Sequence, residues 1–270
     1  NLPKDLTKSL MQWTAKLLVG VVWISALLFG LYIFIFYFIG ALKGDISLWN
    51  EGLSNLYRED GPSANIGIGA HFAAGSVILI LGCIQLISSI RLKFPVLHRW
   101  LGRLYVMAAI LTAVGGLTFI FTRGTIGGLP MDIAFTGYGL LTFLSAVATI
   151  YYARSRDFSR HRAWAIRLYA LAIGSWLYRM DYGFWLLFTG GWGHNGHFNG
   201  PFDIWMDFFF YLPNLLVAEI FIGRYKILQN KPARGLASVG MLVASAFLIL
   251  ATYFFTKKMW LPSMIQVIDG

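Results

Sequence analysis

The chain has 270 residues, 57% hydrophobic and only 13% charged, with a formal net charge of +10. That charged share is about half that of an ordinary soluble domain, and a soluble fold of this length has no interior able to hide so much apolar surface, whereas lipid accepts it. The positive charge is scattered through short loops, which argues against nucleic acid as a partner, and the single cysteine, Cys83, excludes an intramolecular disulfide, a CxxCH haem attachment and a cysteine zinc cage.

Uncharged or nearly uncharged runs predict helices over residues 17–42, 65–90, 99–122, 133–153, 163–188, 204–223 and 235–256. Each is close to the roughly 20 residues that cross the hydrocarbon layer, where every backbone N–H and C=O needs an internal partner. The first run is too long for a signal-peptide core. The expected fold is therefore all-α, a polytopic transmembrane helix bundle of about seven spans. Residues 1–270 form one integral membrane domain, with 65–188 as a four-helix core and 235–256 as a peripheral last span. Lys and Arg set the orientation. With the N-terminus inside, Lys4, Lys8 and Lys16, residues 91–103, residues 154–167 and the group Arg224, Lys226, Lys231 and Arg234 all face the cytoplasm. Only Lys43, Arg58, Arg123, Arg179, Lys257 and Lys258 fall on the other side, together with the C-terminus.

Candidate sites follow in chain order. His71 lies well inside the second span, where a polar group faces either a neighbouring helix or a cavity. Gly75 and Gly82 share its helix face, open to close approach by another helix or a flat ligand. His98-Arg-Trp-Leu-Gly-Arg-Leu-Tyr105 opens the third span, and His161-Arg-Ala-Trp-Ala-Ile-Arg-Leu-Tyr169 opens the fifth, a faint internal repeat. Two imidazoles on two helices, flanked by Arg99, Arg103, Arg162 and Arg167, suit axial ligation of haem with arginines on its propionates. The competing reading is an ordinary cytoplasmic rim of Arg, His, Trp and Tyr against lipid headgroups.

Arg179, in the outer third of the fifth span, points towards a partner in Asp207 on the sixth. Such a pair serves either as structural glue or as the lining of a quinone or proton site. Glu219 is the expected partner of Arg167. The glycine-rich loop from Gly190 to Pro201 carries His194-x-x-His197 with Asp203 six residues on, a weak metal-ligand pattern that suits zinc or copper.

The block from Gly69 to about Tyr182 resembles a bacterial integral membrane protein family, domain of unknown function DUF2306. The matching residues are His71-Phe-Ala-Ala-Gly75, Gly82, Gln85, Arg91, the stretch Pro95-Val-Leu-His98-Arg99-Trp-Leu-Gly102-Arg103-Leu-Tyr105, and His161, Arg162, Trp164, Arg167 and Tyr169. A looser likeness is to transmembrane b-type cytochromes of the ascorbate-reducible type, whose core histidines would correspond to His98 and His161. His71 matches one member of that family's second pair, but the fourth span, 133–153, has no histidine to complete it. The likeness implies a haem b protein of the bacterial inner membrane that exchanges electrons, with quinone as a partner. The alternative is a cofactor-free solute carrier or an accessory subunit docked on partner subunits of a larger membrane complex. No nucleophile elbow, phosphate-binding loop or HExxH supports hydrolysis or phosphoryl transfer.

Overall fold

The computed structural model describes residues 6–223 and 230–269, so Lys4, Arg224 and Lys226 of the orienting basic residues lie outside the described residues. Every regular element described is helical. The first, α1 (Leu6–Ile33), runs through a π-helical stretch, Phe34–Ile39, into the short α2 (Gly40–Leu42). A loop holding α3 (Trp49–Gly52) leads to α4 (Pro62–Leu86), and α5 (Ser88–Lys93) leads to α6 (Pro95–Arg123). Then come α7 (Leu129–Arg154), α8 (Phe158–Ala172), α9 (Gly174–Thr189), α10 (Pro201–Phe209) and α11 (Leu212–Ile222). The chain ends with α12 (Lys231–Phe255), a second π stretch and α13 (Leu261–Asp269). Proline stands in the first turn of α4, α6, α7, α10, α11 and α12. There its missing N–H would have had no intrahelical partner, and its φ is already helical.

Among the described residues, six helical stretches are long and apolar enough to cross a membrane: Leu6–Leu42, Pro62–Gly82, Pro95–Arg123, Leu129–Arg154, Pro201–Ile222 and Lys231–Asp269. The expected span over 163–188 differs from these. It is divided between α8 and α9, of 15 and 16 residues, neither long enough alone. Helical bonding nevertheless crosses the joint, with Ile173 N–H donating to Tyr169 O (3.1 Å) and Leu177 N–H to Ile173 O (3.0 Å). The sixth stretch is jointed as well, because Pro213 has no N–H to continue the ladder. Asn214 Nδ2 answers the disturbed Phe210 carbonyl at 2.7 Å.

α4 packs on α6, α6 on α7, α7 on α8, and α8 back on α4, closing a four-helix ring in which α6 and α8 stand diagonally. α1 and α12 lie against each other, α1 also against α4, while α10 and α11 lie against α7 and α8. The tightest approach in the ring is the crossing of α4 and α6 at two glycines. A Cβ on Gly115 would sit 2.4 Å from the Gly67 carbonyl oxygen and 2.9 Å from the His71 backbone N. Only the absence of side chains lets the two backbones touch. Large apolar side chains such as Leu111, Val243 and Leu250 stand on the outer surface, as lipid contact requires.

One end of the bundle is knitted by basic side chains. Arg123 donates to the carbonyls of Leu56 (2.8 Å) and Gly61 (3.1 Å) and to Asn65 Oδ1 (3.0 Å). Lys43 Nζ donates to the Val267 carbonyl at 2.7 Å, at the C-terminal end of α13. Arg123→Ala is expected to free the loop before α4, read as faster tryptic cleavage at Arg58. Unchanged cleavage would mean that the Asn50 and Asn65 bonds to Tyr57 and Arg58 hold the loop by themselves.

Candidate functional site

The repeated His-Arg motifs come together at the other end of the bundle. Pro95 starts α6 and so puts His98 in its first turn. Asp157 caps α8 by accepting from Arg160 N–H at 3.0 Å, which puts His161 in the first turn of that helix. His98 and His161, both half-buried, thus stand in the first turns of two helices that are diagonal in the ring, at the same end of it. His161 Nδ1 lies 2.9 Å from the Thr149 carbonyl of α7. A carbonyl only accepts, so Nδ1 carries a proton, and in the neutral ring Nε2 is the nitrogen left with its lone pair. His98 Nδ1 is buried with no hydrogen-bond partner among the described residues.

Beneath the pair, the two motif tyrosines close on α4. A Cβ on Gly82 would meet Tyr169 Cε2 at 3.0 Å and Tyr105 Cε2 at 3.4 Å, and a Cβ on Gly102 would meet Gln85 Oε1 at 3.2 Å. The motif arginines are disposed unequally. Arg99, Arg103 and Arg162 are exposed at the rim, and Arg103 lies over the Trp100 ring at 5.0 Å. Arg167 lies over Trp164 at 4.7 Å and is bound by Glu219, with Nη2 donating to Oε2 at 2.9 Å, the partner expected from the sequence. Arg167 is therefore already paired and is not available to a propionate. Glu219 is half exposed, so a double-mutant cycle on Arg167 and Glu219 is expected to give a coupling of at most about 1 kcal/mol. A larger value would mean that the pair is screened from water.

As a donor set, two imidazoles with no carboxylate between them, one with its tautomer held by a carbonyl and one with an orphaned buried nitrogen, fit axial ligation of haem iron. His71 does not join them. Its Nδ1 lies 2.9 Å from the Thr112 carbonyl, on α6 about 21 Å along the helix from His98. Its ring rests where a Cβ on Gly116 would come within 2.9 Å of Nδ1. The α4–α6 crossing thus accounts for a histidine at this depth.

The expected pairing of Arg179 with Asp207 does not form. Arg179 turns the other way, donating to the Ser175 carbonyl at 3.2 Å and lying over the Phe29 ring of α1 at 5.1 Å. Asp207 instead takes the preceding residue, accepting from Tyr178 OH at 3.3 Å through Oδ1. Its Oδ2 is buried without a partner among the described residues. One turn away on α10, Asp203 accepts four hydrogen bonds. His194 Nδ1 and Tyr182 OH reach Oδ1 at 2.7 Å each, while Gly200 N–H (2.9 Å) and Asn195 N–H (3.2 Å) reach Oδ2. Both carboxylates are 0% exposed. His197 is exposed and does not converge on His194 and Asp203, and no group of three or more His, Cys, Asp or Glu able to hold a metal exists among the described residues. The glycine-rich loop folds over Tyr182 and Phe202 and not over His71, which is instead flanked by Phe72 beneath Trp49. Tyr178 and Tyr182 were missed as site residues, although their spacing of four matches that of Asp203 and Asp207 and places each pair on one helix face.

These features define a polytopic, helical, multi-pass membrane protein with a histidine–arginine cluster towards one end of its bundle and a carboxylate–tyrosine cluster towards the other. The chain belongs to the DUF2306 family, described as predicted membrane proteins, whose model matches residues 68–222, more than half of the chain. No curated protein and no solved structure matches it.

Proposed function

We propose that the protein is a redox protein of the bacterial inner membrane, holding b-type haem between His98 and His161 and exchanging electrons with a quinone in the bilayer. The single observation that supports this reading is a histidine in the first turn of each of two diagonal helices, with His161 oriented by the Thr149 carbonyl and His98 Nδ1 buried and unpartnered among the described residues. When bound, haem supplies one-electron chemistry. The chain's own residues orient the ligand atoms, keep the site dry and place charge around it. Hydrogen bonding at Nδ1 fixes the ring of His161 and raises its basicity at Nε2. Buried Tyr105, Leu168 and Ala109 exclude water on the bundle side. Exposed Arg99, Arg103 and Arg162 offer guanidinium groups to carboxylates at the rim.

The test is a reduced-minus-oxidised visible spectrum of the protein purified in detergent. A Soret and an α band in stoichiometric amount support the reading, and their absence ends it. A second reading, a cofactor-free accessory subunit docked on a larger membrane complex, draws support from the place of both histidines in the first helical turn and from Arg167 already being bound by Glu219. Copurification with partner subunits and no chromophore would select it.

A further inference from the structure

We propose that His194, Asp203, Tyr182, Tyr178 and Asp207 form a proton relay from the loop end of the bundle to a buried carboxyl at Asp207. The residues make one continuous hydrogen-bonded path. His194, on the loop after α9, has a side chain 17% exposed and meets Asp203 Oδ1 at 2.7 Å. Tyr182 OH meets that same oxygen at 2.7 Å. Tyr182 OH and Tyr178 OH are 3.4 Å apart, and Tyr178 OH is 3.3 Å from Asp207 Oδ1. The path ends on Oδ1 of a carboxyl whose other oxygen, Oδ2, is buried with no partner among the described residues.

A buried hydrogen-bond cluster is most often structural. Two features set this one apart. First, Asp203 divides its work between its oxygens. Backbone N–H groups of Gly200 and Asn195 hold Oδ2, and the two groups that can both give and take a proton meet at Oδ1. Second, no Lys or Arg forms an ion pair with either carboxylate among the described residues. The groups facing Asp207 are Tyr178 on α9 and Asp203 on its own helix; on α7, Tyr138 is engaged with the Leu171 carbonyl. With a proton on Asp207 there is no unpaired charge in apolar surroundings.

The transfer balances. Bulk water protonates Nε2 of His194, whose Nδ1 proton passes to Asp203 Oδ1. Once the Tyr182 hydroxyl turns from Asp203 towards Tyr178, Asp203 gives a proton to the Tyr182 oxygen as Tyr182 gives its own to Tyr178, and Tyr178 gives its own to Asp207. Each tyrosine loses one proton and gains one, His194 ends as the other neutral tautomer, and the net result is one proton taken up at Asp207. The two links at Asp203 are short, whereas the two at Tyr178 are longer than ordinary O–H···O bonds. The step through Tyr178 therefore limits the rate.

Infrared difference spectroscopy of the full chain in detergent after a pH jump tests this directly. A carboxylic C=O band that is lost in Asp207→Asn assigns the acceptor. Tyr178→Phe keeps the ring but removes the hydroxyl, and is expected to slow that band's appearance at least about tenfold. His194→Gln, on the loop and outside the helices, is expected to slow it too and serves if Tyr178→Phe does not fold. Two results overturn the relay: no pH-dependent band missing in Asp207→Asn, or a band that forms at the parent rate in His194→Gln or in a folded Tyr178→Phe protein. Neither outcome depends on bound haem, so the relay and the redox reading fail separately.

Discussion

Replacing Gly115 with leucine will prevent the bundle from assembling, whereas Gly20→Ala will leave it intact. At Gly115 the first added atom already meets backbone on two sides, the Gly67 carbonyl at 2.4 Å and the His71 N at 2.9 Å. Backbone cannot swing aside as a side chain can, so the whole of α4 must move. Overpacking a close-packed site with one or two methylenes costs about 1–3 kcal/mol. A branched side chain driven between touching backbones exceeds that range and also breaks the His71–Thr112 bond one turn away. At Gly20 nothing lies within 4 Å of an added Cβ, and alanine is the better helix former by up to about 1 kcal/mol. Size-exclusion profile and thermal unfolding in detergent read the contrast. A monodisperse Gly115→Leu protein with the parent's melting temperature would mean that the α4–α6 contact is not what holds the ring.

The second large effect is expected at the opposite end. His161→Leu and His98→Leu should each abolish the bis-imidazole spectrum of the reduced protein, while Arg99→Gln should keep it. The two histidine variants differ in their cost to the fold. His98 Nδ1 makes no hydrogen bond, so leucine there removes no partnered group, whereas His161→Leu gives up its bond to Thr149, about 1 kcal/mol. His98→Leu is therefore the cleaner experiment: a folded protein with no haem signal places the ligand at His98. If both variants bind haem with unchanged bands, the ligands lie elsewhere and the proposed site is wrong.

Much of this molecule was legible in its sequence, and particular residues show where that stopped. The all-helical membrane architecture follows from apolar runs and first-turn prolines, because a buried backbone in lipid has only one way to satisfy itself over such lengths. The Arg167–Glu219 pair was legible because it joins two charged residues near the same end of neighbouring spans. The fifth run reads as one span but is jointed at Ile173, where hydrophobicity gives no signal of the break. Arg179 and Asp207 are matched in the sequence by expected depth alone. What it could not supply was the rotation of each helix about its axis.

One residue along a helix turns the side chain by about 100°, so a shift of a single position hands Asp207 to Tyr178 and sends Arg179 to the ring of Phe29. By itself, the order of apolar and charged residues determined that the chain is a membrane-spanning helical bundle with His98, His161 and their neighbouring arginines near helix starts. Only the tertiary structure decided which side chains meet, because those azimuths are set by close contacts such as Gly67 against Gly115, made between residues far apart in the chain.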